Sequence, residues 1–218
     1  CKYENVKRVL YKKIDIALTC SNIDKDKIDK LNNNRLKTLV VPNGTKIPEN
    51  NPHIKKEPFS LVFVGALDFF PNIEGLRWFY EKVWPLLTLN LPQAKLYIIG
   101  RGNVTNLSFM QHPNIELVGE VDSLSEYYFR YKVSIVPLEH GSGTRLKIPE
   151  AMAHKVPVVS TTKGAEGNDY KNGENIFITD KPHEFSNYII SLLTSDNEKI
   201  PKNAYDWVVR TLNWDTIN

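Results

Sequence analysis

The chain has 218 residues, 41% hydrophobic and 24% charged, with 28 Lys and Arg against 25 Asp and Glu and a formal net charge of +3. That leaves room for one large domain, or one domain plus part of another, with enough apolar material for a sizeable core. The charge is too small to imply nucleic acid by itself, and no apolar run reaches the length of a membrane span. Two cysteines, Cys1 and Cys20, without metal-type spacing fit a reducing compartment.

The first residue is Cys1 rather than Met, so the expectation is a piece of a longer protein, and a missing signal peptide carries no weight. Residues 1–47 read as a helix (Glu4 to Tyr11), a strand (Ile14 to Thr19), a polar helix (Asp24 to Leu31) and a strand (Lys37 to Val41) closed by Pro42-Asn43-Gly44. By periodicity alone this is also an ordinary αβαβ start of a single domain. Residues 45–58 hold three prolines and several charges and read as a linker, placed at 48–57.

From Leu61 strands and helices alternate. The expected strands are Leu61 to Gly65, Ala94 to Gly100, Ile115 to Val118, Val133 to Val136, Val156 to Ser160 and Asn175 to Thr179. Helices are expected from Pro71, near Leu107, over Asp122 to Tyr131, after Thr144, over Pro182 to Leu193 and within Asn203 to Asn218. Short, wholly apolar strands between helices predict a parallel sheet covered on both faces, with ligands outside the carboxyl ends of the strands. Gly65, Gly100, Gly119, Gly141 and Gly143 fall at or just after those ends. The fold class is therefore α/β with a doubly wound parallel sheet over 58–200.

The most informative stretch is Pro137 to Ala153. An apolar strand runs into a loop with Gly141 and Gly143, then a short helix carrying Arg145, Lys147 and Glu150. A strand, a Gly-rich loop and a helix start offer backbone N–H groups to an anion. Two cations at a helix N-terminus oppose the macrodipole, which a bound anion would reverse; the alternative is a pair of solvated surface charges. Pro149 lies too deep for a helix capped by Thr144, so the regular helix is expected to begin at Leu146 to Ile148.

Gly141 to Ala153, with Lys155 to Thr161 and Gly164-Ala-Glu-Gly167, resembles the donor-binding motif of the retaining, two-domain GT-B glycosyltransferases of family 4. Ser21-Asn-Ile-Asp24 and Val41-Pro-Asn-Gly44 match the passage that closes the family's N-terminal, acceptor-side domain. The resemblance thus implies a remnant of that domain over 1–47, a Rossmann-like C-terminal donor domain, and a final helix over 201–218 crossing back. It implies that Glu150 holds the ribose hydroxyls of a nucleotide sugar. Gly65, Gly100, Gly141, Ser142, Gly143 and Thr144 line the donor, and Arg145 and Lys147 stabilise the diphosphate leaving group. Three positions depart from the family: Ser142 stands where a second Glu is usual, and Ala66 and Asn72 stand where a loop Arg and Lys are common.

The implied reaction is retaining transfer of a hexose from a UDP- or GDP-sugar to a glycan or lipid-linked glycan, in surface polysaccharide or lipopolysaccharide synthesis. The implied setting is the cytoplasm, at the inner face of the membrane, with peripheral association of the full-length protein. No cofactor, metal or nucleic acid is expected, and this piece alone is expected to be inactive. The five His are scattered without ligand spacing. No Gly-x-Gly-x-x-Gly follows the first strand, against a dinucleotide dehydrogenase. A sugar-nucleotide epimerase of the same architecture and a non-catalytic nucleotide-sugar module remain alternatives. Phe69 and Phe70 read either as a donor cover or as packing, and His140 as a donor contact or a structural residue.

Overall fold

The computed structural model describes residues 13–33, 35–49, 54–196 and 198–217; the helix expected over Glu4 to Tyr11 lies outside them. The first part is small. Strand β1 (Ile16–Thr19), helix α1 (Asn22–Asn32) and strand β2 (Lys37–Val40) form a parallel βαβ unit. Ser21 caps α1 by accepting a bond from the Asp24 N–H at 3.1 Å, and Asn33 ends it in the left-handed conformation.

The second part is a six-stranded, all-parallel sheet. Its strands are β3 (Ser60–Val64), β4 (Lys95–Ile99), β5 (Ile115–Gly119), β6 (Val133–Val136), β7 (Val158–Ser160) and β8 (Phe177–Ile178). They lie in the order β5-β4-β3-β6-β7-β8. Winding runs outward in both directions from β3, so β3 and β6 are neighbours at the switch point, where such sheets open a crevice at their carboxyl ends.

Each central strand feeds two cores because alternate side chains face opposite ways. Leu61, Phe63, Leu96, Ile98, Val133 and Ile135 enter one core. Helices α2 (Phe70–Trp78), α3 (Trp84–Asn90) and α6 (Pro182–Thr194) cover that face with Leu76, Leu87 and Ile189. Val62, Val64, Tyr97, Ile99 and Val136 enter the other. There α4 (Leu124–Arg130), α5 (Lys147–Ala153) and α7 (Lys199–Thr211) bring Tyr128, Ile148, Met152, Ala204 and Val208. A wide π turn over Phe79–Val83 joins α2 to α3. Pro85 just beyond lacks the N–H a regular helix would use, and Trp84 N–H reaches back to the Phe79 carbonyl.

The final helix starts earlier than the spacing predicts, at Lys199, with Pro201 in its first turn. It packs on its own domain through Ala204, Val208 and Leu212. Its end meets the first part: Thr45 N–H bonds to Leu212 O at 2.7 Å, and the indole of Trp214 lies over Gly44.

Candidate functional site

The carboxyl ends of β3, β4 and β5 meet backbone to backbone. Gly65 N–H bonds to Ile99 O at 2.9 Å, and Gly100 N–H to Gly119 O at 2.8 Å. A Cβ on Gly100 would stand 1.8 Å from the Gly65 carbonyl oxygen. Gly100 is therefore required by packing at this edge. Gly75 does the same for α2, where a Cβ would stand 2.6 Å from Pro137 O. These approaches bring the loop after β3 and the loop after β6 together at the switch point.

The loop after β6 leaves through buried Leu138 and turns outward over Glu139 to Ser142. Gly141 and Gly143 adopt φ of 110° and 82°, which side chains with a Cβ rarely take. Arg145 folds back under this turn, its Nη1 donating to the Ser142 and Gly143 carbonyls at 2.6 and 2.7 Å. Its Nε and Nη2 are buried without a partner among the described residues. Burial pulls the guanidinium below its ordinary range, and Glu166 opposes that. Two buried, orphaned donors on a half-buried cation are costly, on the order of 1–3 kcal/mol each, and fit an anion arriving at the loop.

The helix α5 begins at Lys147, as Pro149 requires, and Pro149 occupies its first turn. The expected free N–H groups are only partly there: Ile148 and Glu150 N–H already bond to Arg145 O and Leu146 O at 3.1 and 3.0 Å. The turn winds back one residue to fit Pro149 and consumes them. At the helix start itself, the groups left to meet an anion are side chains. Lys147 points inward to the end of β3. Its Nζ lies 4.2 Å from the Phe63 ring centroid and 3.0 Å from Asn72 Oδ1. Burial, with Arg145 adding in the same direction and Glu150 opposing, lowers the Lys147 ammonium to about 7. Glu150 is half-buried beside it, and burial raises its carboxyl more than Lys147 lowers it.

The main chain at Glu150 is held by its surroundings. His154 Nδ1 meets the Glu150 carbonyl at 2.7 Å and its Nε2 meets Ser125 Oγ at 2.7 Å, so the last turn of α5 is tied to α4. Thr144 is held from two sides. Asn43 Nδ2 donates to its Oγ1 at 2.9 Å, and Gly167 lies so close that a Cβ there would stand 2.9 Å from Thr144 Cγ2. The Gly164 to Gly167 loop thus sits at the same sheet edge. Open clefts of about 480 and 280 Å³ border the loop, the first lined by Glu139, Lys163, Glu166 and Asp180, the second by Ser21, Pro42, Gly167 and Trp207.

Gly65, Gly141, Gly143, Thr144, Arg145, Lys147 and Glu150 are therefore brought to one edge, with Ser142 exposed at its outer rim. Phe69 and Phe70 stand outside both cores, 55% and 62% exposed, and Phe70 stacks on His140 at 6.3 Å. Asn72 and Asn43 are site residues that motif reading misses as partners: their contacts run to Lys147 and Thr144, 75 and 101 residues away. Among the described residues no group of three or more His, Cys, Asp or Glu could hold a metal, and no helix is long and apolar enough to cross a membrane.

This geometry sets two cations and a carboxylate side by side at the switch point. The profile of the family described as Glycosyl transferases group 1 matches residues 58–195, and the chain belongs to that family. It is 30% identical over 204 residues to an uncharacterised 44.6 kDa protein in the cps region of Klebsiella pneumoniae, covering 85% of this chain and 50% of that one. The chain thus spans about half the length of that curated relative. Among solved structures, S. aureus TarM in complex with Fondaparinux, alpha-GlcNAc-glycerol and UDP matches with a TM-score of 0.81 at 17% identity, over 99% of this chain and 44% of TarM. The pneumococcal O-GlcNAc transferase GtfA, with UDP and GlcNAc, matches at 0.77 and 16% identity, over 100% and 46%. Anabaena Alr3699/HepE, with UDP and glucose, matches at 0.74 and 16% identity, over 99% and 65%. At these identities the likeness is one of fold: the parallel, Rossmann-like sheet of the GT-B architecture.

Proposed function

We propose that this chain carries the donor half of a nucleotide-sugar glycosyltransferase, with the donor's diphosphate between Arg145 and Lys147 and its ribose on Glu150. The observation that carries the reading is the convergence of a buried ammonium, a guanidinium with two unpartnered donors and a half-buried carboxylate at one switch point. Burial of like charges is unfavourable without a counter-ion, and a diphosphate supplies one. The family assignment and the UDP complexes of TarM, GtfA and Alr3699/HepE favour a UDP-sugar over a GDP-sugar. The cps-region relative favours a surface polysaccharide as the product class.

In this reading the protein acts by charge and position. The bond from the sugar's anomeric carbon to the diphosphate breaks with its electron pair on the diphosphate, and an acceptor hydroxyl forms the new bond and gives up its proton. Arg145 and Lys147 stabilise the charge that gathers on the departing oxygens. Gly141 to Thr144 form the wall along the sugar and phosphates. Retention of configuration and a glycan or lipid-linked glycan acceptor complete the proposal.

Glu150 gives the test. A carboxylate can accept from two vicinal hydroxyls at once, and charged acceptors make the stronger bonds. Glu150→Gln is expected to weaken ribonucleoside diphosphate binding by roughly 1.5–3 kcal/mol. A 2′,3′-dideoxyribonucleoside diphosphate should bind the parent weakly and be nearly indifferent to the substitution. Calorimetric titration of both proteins with both ligands checks this. An unchanged ribonucleotide affinity with a lower melting temperature would make Glu150 structural.

A further inference from the structure

Asn72 is 5% exposed, in the first turn of α2. Its amide is used at both ends: Nδ2 donates to Ala66 O at 2.8 Å, and Oδ1 accepts from Lys147 Nζ at 3.0 Å. The reverse orientation of the amide would set donor against donor and acceptor against acceptor, so the contact is directional. The two side chains meet over Gly65, where a Cβ would stand 2.7 Å from both Asn72 Nδ2 and Lys147 Nζ. Phe63 closes the floor at 4.2 Å. The ammonium from the loop after β6 is therefore locked onto the loop after β3.

We propose that Asn72 is the positioning residue that holds the Lys147 ammonium over Gly65, so that a lysine from the second loop charges a first loop whose own positions, Ala66 and Asn72, are neutral. This rests on the donor reading above and deepens it. Asn72 touches neither sugar nor phosphate in this role; it acts through Lys147. Among the described residues two charged groups act on the ammonium. Arg145 on the loop disfavours its charge and Glu150 on α5 favours it. Tyr128 on α4 reaches only the Lys147 carbonyl, at 3.4 Å, and is itself held protonated by burial. The Asn72 oxygen is the hydrogen-bond acceptor for this ammonium among the described residues. It gives a deeply placed lysine a neutral acceptor and leaves the charge free to meet a diphosphate, which a carboxylate in its place would not.

The sign of two substitutions separates positioning from bracing. Asn72→Leu keeps the volume, removes the acceptor and excludes water; Asn72→Asp replaces the neutral acceptor by a charged one. Both lose the bond to Ala66, so a residue that merely braces the loop would show the same change in both. The readout is the titration of the Lys147 side chain by NMR on lysine-labelled, ligand-free protein, assigned by the signal missing from Lys147→Met. The Lys147 midpoint is expected to fall in Asn72→Leu and rise in Asn72→Asp, by about one unit each, a roughly tenfold change in charged fraction at fixed pH. At about pH 8, UDP or GDP binding should weaken about tenfold in Asn72→Leu while the bare nucleosides change less than about twofold. Midpoints that stay in place, or move together, overturn the role of Asn72. Opposite shifts in a chain that binds neither UDP nor GDP would overturn the donor reading alone.

Discussion

Gly100→Ala is expected to cost roughly 3 kcal/mol or more of stability, a fall of roughly 10 °C in melting temperature for a chain of this size. A Cβ there would stand 1.8 Å from Gly65 O and 2.7 Å from Gly65 C, and both are backbone atoms. Neither can turn away as a side chain would. Relief requires β3 and β4 to part at their carboxyl ends, which breaks the Gly65 N–H to Ile99 O bond and disturbs the Gly100 N–H to Gly119 O bond beside it. The same displacement would lift Gly65 from beneath Lys147 and Asn72. Gly119→Ala is the control. Gly119 has a φ of 82° but open space where the Cβ would go. That substitution should cost only the backbone term, about 1–2 kcal/mol. Thermal melts followed by circular dichroism compare them; equal losses would show that the close contact at Gly100 is not what the fold depends on.

Lys147→Met is expected to separate stability from binding. The flexible thioether fills the lysine's path without its charge. At about pH 6.5 the ligand-free variant should be more stable than the parent by roughly 1–3 kcal/mol. The sign follows from the proton balance. Lys147 is lowered to about 7 in the folded chain, while an unfolded lysine titrates near 10.4. Below about 7 the ammonium is charged in both states and its burial cost is fully felt. Between about 7 and 10.4 the unfolded chain binds the extra proton, so the parent gains stability as pH rises and its gap to Lys147→Met closes. Denaturant titrations at about pH 6.5 and 9 read that gap; one that widens with pH contradicts a buried, partly neutralised lysine. Diphosphate affinity should fall by roughly 1.5–3 kcal/mol in the variant, the loss of a charge-assisted contact, with nucleoside affinity nearly unchanged.

Much of this was legible because it is local. The unbroken apolar run Leu61 to Val64 marks a strand with two covered faces, and both faces are covered. Pro149 tells where α5 must begin, and it begins there. The paired glycines mark a loop with left-handed backbone, and Gly141 and Gly143 have it. What stayed hidden depends on chain crossings. Nothing near Asn72 in sequence says that its amide meets Lys147, and nothing near Thr144 says that Asn43 will hold it. The direction of Arg145 was hidden too. The sequence places a cation beside two glycines, but only the turn's shape makes the Ser142 and Gly143 carbonyls its partners. The start of α7 at Lys199 escaped because Pro201 reads as a break, whereas it sits in the first turn, and burial begins beside it with Ile200.

The central claim is that the edge formed by Gly65, Arg145, Lys147 and Glu150 binds a nucleoside diphosphate through its phosphates. Calorimetric titration of the chain with UDP, GDP, uridine and guanosine, in buffers of different ionisation enthalpy, tests it most directly. At about pH 8 the account predicts that one diphosphate binds at least tenfold more tightly than its nucleoside, about 1.4 kcal/mol or more, with net proton uptake as Lys147 recovers its charge. Equal affinity for diphosphate and nucleoside, or binding without proton uptake at that pH, would contradict it.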